Sequence, residues 1–373
     1  MSTTFLDTPF GGFELQRRPR RRNEVLQAWD AADRYLLNAI AEAPPAPGSR
    51  LLLVNDQFGA LAVARADYEC VSWSDSAVAH LAASENCSAN GRRSPQILSS
   101  CERPEGDFAA VLYRLPRNHS YMRFQLQQIS TLIARPEAFV AATMAKYLDA
   151  PTMAVFSNSL GEAAASLAWK KARLIRLQQL HGEPAIDDDW LSFQCPELEI
   201  SLGNRANVFS RAKLDRGSRL LISALDKLNP PEHLADLGCG NGLLGIAAAR
   251  RWPAAALHFF DESYMAVDSA RRNVANNLSA VDANFYATDC LQGYTGAPLD
   301  LVLCNPPFHQ EQQIGDHIAR QMFIDSYRQL RPGGQLCVVG NRHLGYHTIL
   351  KKRFGNCQVI HSDAKFVVLL AEK

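Results

Sequence analysis

The residues best suited to chemistry form a run of four, Asn305, Pro306, Pro307 and Phe308, which follows the apolar segment 299–304. An exocyclic amine on a base is a poor nucleophile, because its lone pair is delocalised into the ring. The Asn305 side-chain oxygen and the Pro306 carbonyl can each accept one N–H of such an amine and so direct its lone pair at an electrophilic methyl group. Phe308 can stack on the base. The run therefore predicts methyl transfer onto an amine nitrogen.

A glycine-rich turn comes earlier in the chain, and its Gly242 lies 63 residues before Asn305. The turn follows an apolar strand signal that contains Asp236, and it consists of Gly238, Cys239, Gly240, Asn241 and Gly242. Glycine is needed where a strand-to-helix turn adopts conformations costly to other residues and where a ligand approaches the backbone closely. We expect this turn and Asp236 to hold the methionine end of S-adenosylmethionine. We assign Asp261 to the ribose hydroxyls and Asp289 to the adenine edge.

The same glycines allow another interpretation. Gly240–Gly245 fits the G-x-G-x-x-G dinucleotide pattern, and Asp261 lies 19 residues after Gly242. A nicotinamide-dependent enzyme, or a cofactor-binding module without turnover, is therefore an alternative. Hydride transfer gives no reason to end the fourth strand in Asn-Pro-Pro-Phe, so methyl transfer is favoured. The acceptor could be a nucleic-acid base or a Gln side-chain amide in a protein, which presents the same two N–H groups.

The elements that must position these residues alternate between strand and helix from Glu232 onward. Helices are predicted at about 243–251, 264–277 and 318–330, and strands at 232–237, 257–260, 284–287, 299–304, 335–340 and 366–370. Alternation of this kind predicts an α/β fold with a mostly parallel, doubly wound sheet whose ligands lie at the carboxyl ends of the strands.

The first half of the chain repeats this order. Segment 51–64 resembles 234–248, and 110–116 resembles 301–307. The copies differ where chemistry would occur: Asn55, Asp56 and Gln57 replace Gly238, Cys239 and Gly240, and Arg114 replaces Asn305. A chance likeness between two α/β domains is the alternative. We predict two tandem class I (Rossmann-like) methyltransferase domains, the first degenerate, with residues 1–178 as the first domain, 179–196 as a linker and 197–373 as the catalytic domain.

Length and charge agree with two domains, since the 373 residues exceed twice the ~150 of a typical domain. Residues 1–178 hold 20 Lys and Arg against 17 Asp and Glu, giving +3, and residues 179–373 hold 19 against 21, giving −2. This asymmetry permits a nucleic-acid partner for the first half. Five arginines within 17–22 could contact phosphate or form a solvated terminus. Lys170, Lys171 and Arg173 could line an RNA groove or the solvated face of an edge strand.

Nine scattered cysteines without a C-x-x-C pair indicate reduced thiols rather than disulfides or a zinc site. His343 and His347 have the spacing of a helical metal pair, but no third ligand is visible, so no metal is predicted. No segment approaches the ~18 apolar residues of a membrane span, and the N-terminus lacks an apolar signal core. We expect a cytoplasmic, monomeric protein without a membrane partner.

Five segments in combination resemble the ribosomal RNA guanine-N2 methyltransferases: ANVFSRAKLDRGSRLL (206–221), DLGCGNGLLG (236–245), FFDESYMAV (259–267), LCNPPFH (303–309) and NRHLGY (341–346). Within that family the large-subunit enzymes are most similar, and the small-subunit enzymes form the sister group. Segments 26–37, 55–62 and 167–175 extend the likeness to nearly the whole chain.

The resemblance implies S-adenosylmethionine-dependent methylation of the exocyclic N2 of a specific guanine in 23S ribosomal RNA, with small-subunit ribosomal RNA as the alternative. It implies a first domain that holds RNA without binding cofactor and a second domain that is catalytic. It assigns Asn305, Pro306, Pro307 and Phe308 to a catalytic tetrad, and Phe209, Ser210, Arg211 and Asp215 to closure of the active site. His309, next to Phe308, could contact the substrate or be a polar residue at the lip of the site.

Overall fold

The computed structural model describes residues 4–20, 24–182, 186, 189–279, 281–307 and 312–373, apart from the side chains of 312–316. The chain divides into two compact units, 1–189 and 190–373. In each unit the described residues form one seven-stranded sheet, covered by helices, and one separate two-stranded hairpin.

The first unit contains nine strands and five α-helices among its described residues. In chain order they are β1 (Phe5–Thr8), β2 (Gly11–Glu14), α1 (Ala31–Glu42), β3 (Arg50–Val54), α2 (Ala60–Ala64), β4 (Glu69–Ser74), α3 (Ala77–Ala89), β5 (Gln96–Ser99), β6 (Ala110–Arg114), α4 (His119–Ile129), β7 (Phe139–Met144), α5 (Ala150–Ser159), β8 (Gly161–Ala165) and β9 (Ala172–Leu180).

The second unit has the same succession of elements. Its described residues form β10 (Leu191–Cys195), β11 (Ile200–Asn204), α6 (Arg216–Ile222), β12 (His233–Leu237), α7 (Leu243–Arg251), β13 (Ala256–Asp261), α8 (Tyr264–Asn277), β14 (Ala283–Ala287), β15 (Leu299–Cys304), α9 (Gln312–Gln329), β16 (Leu330–Asn341), α10 (Tyr346–Phe354), β17 (Gln358–Ser362) and β18 (Phe366–Glu372).

The two large sheets have identical topology. Their strand orders are β5-β4-β3-β6-β7-β9-β8 and β14-β13-β12-β15-β16-β18-β17. Five neighbouring strands are parallel in each sheet, and β9 and β18 run antiparallel to both of their neighbours. The α/β fold with two mostly parallel, doubly wound sheets is therefore confirmed.

Equivalent asparagines show that the duplication extends to single hydrogen bonds. Asn86 in α3 donates from Nδ2 to the carbonyl of Phe58 at 2.8 Å, just before α2. Asn273 in α8 donates from Nδ2 to the carbonyl of Asn241 at 2.9 Å, just before α7. In each unit a buried amide thus connects a helix, α3 or α8, to the turn that follows the central strand, β3 or β12. The amide also pairs a backbone carbonyl that would otherwise be buried without a hydrogen bond.

The central strands are apolar because parallel strands covered on both faces exclude water from both. Successive side chains along β12 and β15 alternate between two cores: Leu234 and Leu301 pack on one side, and Ala235 and Val302 on the other. This alternation decides which face the polar residues at the strand ends occupy.

Several elements differ from the sequence prediction. The predicted linker, 179–196, contains strand at both ends, since β9 continues to Leu180 and β10 begins at Leu191. The hairpins, α6 and α10 were not predicted. Helix α6 has seven residues and includes Gly217, so its own propensity is weak and packing must stabilise it. Among the described helices, none combines the length and the apolar character needed to cross a bilayer.

Candidate active site

The glycine turn lies between β12 and α7, and its backbone angles explain three of its glycines. Gly238, Gly240 and Gly242 have φ values of +72°, +53° and +82°, which other residues rarely adopt. A Cβ on Gly242 would lie 3.0 Å from the Cβ of Ala270, whereas a Cβ on Gly240 would meet nothing within 4 Å. Gly240 therefore leaves open space beside the backbone, as a ligand that approaches the turn requires.

Asp236, one residue before the end of β12, is 1% exposed. Its Oδ2 accepts a hydrogen bond from the Gly245 backbone N–H at 2.8 Å, and its Oδ1 is buried without a hydrogen-bond partner among the described residues. Burial raises the pKa of Asp236 to about 8; the Gly245 N–H opposes this rise and the nearby Asp261 adds to it. A buried carboxyl group with one unused oxygen fits a cationic partner, and the ammonium group of S-adenosylmethionine is one.

Asp261 ends β13, the strand next to β12, and fixes the conformation of the turn. Its Oδ2 accepts from the Gly240 N–H at 2.9 Å, and its Oδ1 accepts from the Ser263 N–H at 3.0 Å. Each carboxylate oxygen has a second lone pair, so ribose hydroxyls could still donate to this group. Asp289 follows β14 and is buried, with its Oδ2 accepting from Gln292 Nε2 at 3.1 Å. The three acidic residues thus lie at or just beyond the carboxyl ends of three neighbouring strands, and their cofactor roles stay predictions.

The other two residues of the turn support it from within. Asn241 donates from Nδ2 to Asn204 Oδ1 at 3.0 Å and accepts the Leu243 N–H at 3.3 Å. The Cys239 thiol is buried, which raises its pKa well above the ordinary value. It therefore stays protonated and is unsuited to act as a nucleophile.

Asn305 follows β15 and is held by the N-terminus of α6. Its Nδ2 donates to the Ser218 hydroxyl oxygen at 2.9 Å and lies 3.4 and 3.5 Å from the two carboxylate oxygens of Asp215. Asp215 is the N-cap of α6 and accepts the backbone N–H of Gly217 at 2.8 Å. A Cβ on Gly217 would lie 3.1 Å from Asp215 Oδ1, which is tight, and 3.4 Å from Asn305 Oδ1, which is an ordinary contact distance.

These contacts fix which way the Asn305 amide points. A carboxylate only accepts hydrogen bonds, so Asp215 must face the amide nitrogen and not the amide oxygen. Asn305 Oδ1 is buried and has no hydrogen-bond partner among the described residues. Pro306 is buried and Pro307 is exposed. The acceptor predicted to bind a substrate amine is therefore present, oriented and unused. Phe308 and His309 lie outside the described residues.

The loop that precedes α6 joins the glycine turn to the Asn305 corner. Asn204, which contacts Asn241, donates from Nδ2 to the Arg211 carbonyl at 3.0 Å. Ser210 has a φ of +54°, and its hydroxyl donates to the Lys213 carbonyl at 2.6 Å. The Phe209 side chain is 60% exposed. The loop ends at Asp215, which contacts Asn305. Closure of the active site by this loop stays a prediction.

Buried side-chain oxygens without hydrogen-bond partners lie at the ends of three adjacent strands. They are Asp236 Oδ1 in β12, Asn305 Oδ1 after β15 and Asn341 Oδ1 at the end of β16. The alternation of side chains places all three residues on the face that carries α6 and α7. A buried unpaired acceptor costs about 1–3 kcal/mol, and three of them at one end of adjacent strands fit a site that a ligand completes. Sequence reasoning missed Ser218, Asn204 and Asn341, although all three lie in or next to the segments that carried the family resemblance.

In the first unit an ion pair occupies the equivalent corner. Arg114 ends β6, and its Nη2 lies 2.9 Å from Asp30 Oδ2 while its Nε lies 3.0 Å from Asp33 Oδ1. Asp30 caps α1 and Asp33 lies three residues further on, in the same relation as Asp215 and Ser218. The three first-unit residues correspond, in order, to Asn305, Asp215 and Ser218. A cation that bonds two carboxylates has replaced the amide with the unused oxygen.

The glycine turn of the first unit is also filled by side chains. Asn55, at the position of Gly238, has a φ of +59° and donates from Nδ2 to Gln125 Oε1 at 2.9 Å. Gln125 donates back to Asn55 Oδ1 at 3.0 Å and accepts from the Tyr113 hydroxyl at 3.1 Å. These side chains hydrogen-bond to one another at the position of Gly238, so the first unit lacks the open glycine turn of the second.

We expect Arg114→Ala to lower the free energy of unfolding of the first unit by about 3–5 kcal/mol, because Asp30 and the buried Asp33 would lose their cation. The change is measured by unfolding the protein in urea and monitoring hydrogen exchange in peptides from the first unit. Arg176→Ala is the control, because Arg176 is exposed on β9 and its loss should change stability by no more than about 0.5 kcal/mol. Equal changes in the free energy of unfolding for the two substitutions would show that the Arg114 ion pairs do not stabilise the first unit.

The predicted RNA-binding residues form a turn and the start of a strand. Lys170 and Lys171 are exposed, have φ values of +47° and +66°, and join Trp169 to Ala172 in a two-residue turn. Arg173 lies in β9, which is not an edge strand, because β9 pairs with both β7 and β8. The edge-strand interpretation is therefore wrong. Left-handed backbone at two lysines is unfavourable, so the structure holds this turn against local preference.

The described arginines of the 17–22 run are bound within the first unit. Arg17 lies with its guanidinium carbon 4.5 Å from the centre of the Phe58 ring, Arg18 forms an ion pair with Glu85, and Arg20 lies 3.5 Å from the same carboxylate. These contacts use the charges internally and weaken the case for phosphate binding by this part of the run.

The histidine pair does not share a helix. His343 lies in the 3₁₀ turn Arg342–Leu344 and His347 in α10, with Gly345 between them at a φ of +65°. The helical metal-pair interpretation of their spacing is therefore wrong. The part of the chain that the structure describes contains no group of three His, Cys, Asp or Glu side chains placed to bind a metal.

The fold and the site together define a class of enzyme. A doubly wound sheet, a glycine turn with an acidic residue ending the next strand, and an Asn-Pro-Pro corner at the same edge are the features of a class I S-adenosylmethionine-dependent methyltransferase. Two protein-family models match the sequence. The family described as methyltransferase small domain matches residues 199–370, and the family described as RLMG N-terminal domain matches residues 3–181. The chain belongs to the ribosomal RNA large subunit methyltransferase G family.

Two relatives show how far the similarity extends. The ribosomal RNA large subunit methyltransferase G of Vibrio vulnificus (strain YJ016) is 40% identical, over 96% of this chain and 96% of its own. That of Shewanella amazonensis is 42% identical, with 96% of each chain covered. The predictions of a methyltransferase, of S-adenosylmethionine as its cofactor and of this family are confirmed.

One solved structure covers both units. The T. thermophilus 16S rRNA N2 G1207 methyltransferase (RsmC), in complex with AdoMet and guanosine, aligns with a TM-score of 0.78, covering 99% of this chain and 97% of its own. Its sequence is 22% identical, so the likeness establishes the shared fold.

Proposed function

We propose that the enzyme methylates the exocyclic N2 of a specific guanine in 23S ribosomal RNA, with S-adenosylmethionine as the methyl donor. The family supports ribosomal RNA of the large subunit, because that is what the names of the relatives state. The observation that carries the choice of an amine is the buried Asn305 Oδ1, which is oriented by α6 and has no hydrogen-bond partner among the described residues. A ribosomal RNA substrate would place the enzyme in the cytoplasm.

The protein's contribution to the reaction is to position the acceptor. S-adenosylmethionine, when bound, supplies a methyl group on a positively charged sulfur. Asn305 Oδ1 and the Pro306 carbonyl each accept one N–H of the guanine N2 amine and so keep the amine in a fixed plane. The nitrogen lone pair then points out of that plane toward the methyl group. The methylated nitrogen finally loses one proton to water, so no strongly basic side chain is required.

The residues proposed to bind the cofactor lie on β12 and β13, next to β15, at the same carboxyl end of the sheet as Asn305. Ionised Asp236 would bind the ammonium group, and Asp261 would accept from the ribose hydroxyls while it holds the turn through Gly240. The target guanine must leave a base-paired stack to reach this edge, because pairing occupies its N2 amine. We therefore expect an unpaired or flipped-out nucleotide.

Labelling of ribosomes that lack the modification tests this function. Ribosomal RNA from cells without the gene is incubated with the enzyme and methyl-labelled S-adenosylmethionine, freed of protein, separated into 23S and 16S RNA and digested to nucleosides. We expect label in 23S RNA as N2-methylguanosine. Label in 16S RNA would support the small-subunit alternative, and label in a protein glutamine would support amide methylation. Either result would overturn the proposal.

We also propose that the Lys170–Lys171 turn and Arg173 bind RNA phosphates. The double substitution Lys171→Ala, Arg173→Ala should raise the Kd for substrate RNA and reduce the slope of log Kd against log salt by about 1.4–1.8, since each of the two phosphate contacts contributes about 0.7–0.9. Filter binding at several salt concentrations measures both quantities.

Arg250→Ala with Arg251→Ala is the matched control for this double substitution. It removes the same charge from the exposed C-terminal end of α7, which lies at the opposite end of that helix from the glycine turn. The control should leave the slope near its wild-type value. An unchanged slope in the Lys171, Arg173 variant would exclude these residues from the RNA interface.

A further inference from the structure

Asn341, the last residue of β16, is a buried amide with an unused oxygen. Its side chain is 6% exposed, and its Oδ1 is buried without a hydrogen-bond partner among the described residues. Its backbone continues the sheet, paired with Phe366 of β18. Unpaired buried acceptors destabilise a fold, and a leucine of similar size would avoid that cost. The described part of the fold therefore gives this oxygen no partner that explains why an amide occupies the position.

The register of the sheet places Asn341 beside Asn305. Cys304 of β15 is paired with Val338 of the parallel strand β16, so Asn305 falls level with Val339 and Asn341 lies two residues further along. Residues two apart share a face. With strands about 4.8 Å apart and a rise of about 3.3 Å per residue, the Cα atoms of the two asparagines would be about 8 Å apart. Two amide side chains can reach one small planar ligand across that distance.

Neighbouring contacts identify the shared face. Phe366, directly opposite Asn341, packs in the core that contains Leu221 of α6. A Cβ on Gly340, the preceding residue, would instead lie 2.6 Å from the ring of Tyr346, which packs in the other core. Asn341 is therefore on the α6 side of the sheet, as Asn305 is.

Guanine has two neighbouring donors on one edge, which could pair with Asn305 Oδ1 and Asn341 Oδ1. In guanine the N1–H donor is the immediate neighbour of the N2 amine. In 2-aminopurine the amine is the same, but the 6-oxo group is absent and N1 carries a lone pair and no hydrogen. We propose that Asn341 determines base specificity: its Oδ1 accepts the N1–H of the target guanine while Asn305 holds the N2 amine. This inference rests on the proposed function, since it names the base contact at the same site.

A substitution in the RNA combined with one in the protein tests the contact. Splint-ligated 23S RNA segments carry guanine or 2-aminopurine at the position that the labelling experiment identifies. The wild type should prefer guanine in kcat/KM by about tenfold to a hundredfold, the discrimination that a well-formed base contact provides. Asn341→Leu should lose that factor on guanine, keep its rate on 2-aminopurine, and so bring the preference near one. Asn341→Asp, which keeps acceptor oxygens, should retain a preference for guanine.

Stability separates this role from a structural one. Asn341→Leu should have a Tm equal to or above that of the wild type without RNA, because it removes an unpaired buried oxygen. If Asn341→Leu does not fold, Asn341→Ala is measured in its place, with the same expected loss of preference. An unchanged preference for guanine in the folded variant, or an equal loss of rate on both bases, would overturn the inference. Failure of the wild type to methylate guanine N2 would instead overturn the proposed function.

Discussion

Replacing Asn305 with alanine should lower kcat about a thousandfold and leave the Kd for S-adenosylmethionine within about twofold of the wild type. The substitution removes the oxygen that holds one N–H of the acceptor amine, and it leaves the glycine turn and Asp236 untouched. Aligned acceptors in a site that excludes water contribute factors of this size when one is lost. Single-turnover methylation measures the rate, and isothermal titration calorimetry measures cofactor binding.

Asn356→Ala is the matched control for this experiment. Asn356 donates from Nδ2 to the Glu372 carbonyl at 2.7 Å and accepts the Glu372 N–H at 2.9 Å, at the end of the sheet opposite Asn305. Its loss removes an asparagine with comparable bonding and should leave kcat unchanged. If Asn305→Ala weakened cofactor binding as much as turnover, Asn305 would belong to the cofactor site, and its assignment to the acceptor amine would be refuted.

Replacing Asp236 with asparagine should raise the Kd for S-adenosylmethionine about thirtyfold to several-hundredfold, because a buried charge pair loses its anion. The pKa of Asp236 predicts a second effect. With that pKa raised to about 8, the free enzyme carries a neutral Asp236 at pH 7, and pairing with an ammonium group requires the ionised form. The wild type should then release about one proton on binding at pH 7, and affinity should rise as pH approaches 8.

Calorimetry in two buffers of different ionisation enthalpy counts that proton. Asp236→Asn should release none. Asp300→Asn is the control, since Asp300 lies near the amino end of β15, where it accepts the His233 N–H at 2.7 Å, and the Arg331 side chain lowers its pKa. That variant should bind cofactor as the wild type does. Proton release that persists in Asp236→Asn would place the titrating group elsewhere.

The sequence predicted the second unit well where its signals are local. Helix α7 has the predicted limits 243–251, and strand β15 has the predicted limits 299–304. Both are runs of mostly apolar or small residues that begin directly after a turn-forming residue, Gly242 for α7 and Pro298 for β15. The duplication was also visible, because the order of strands, turns and small-residue helices repeats even where the chemistry does not.

The arrangement around Asn305 could not be predicted from the sequence. Asp215 and Ser218 lie 90 and 87 residues before Asn305, and a seven-residue helix without strong propensity brings them together. Only packing of α6 on the sheet decides that contact. The Lys170–Lys171 turn illustrates the same limit, since its left-handed backbone contradicts the preference of lysine and depends on the strands that it joins.

The ion pairs of Arg114 with Asp30 and Asp33 make a single substitution back to asparagine at this position destabilising. Returning asparagine to position 114 alone would leave the buried Asp33 without its cation, and the partly exposed Asp30 would lose the same partner. A cofactor site in the first unit would require several substitutions at once, including glycine in place of Asn55. The ion pairs thus stabilise the fold of the first unit at the same position where the second unit carries its unpaired acceptor oxygen.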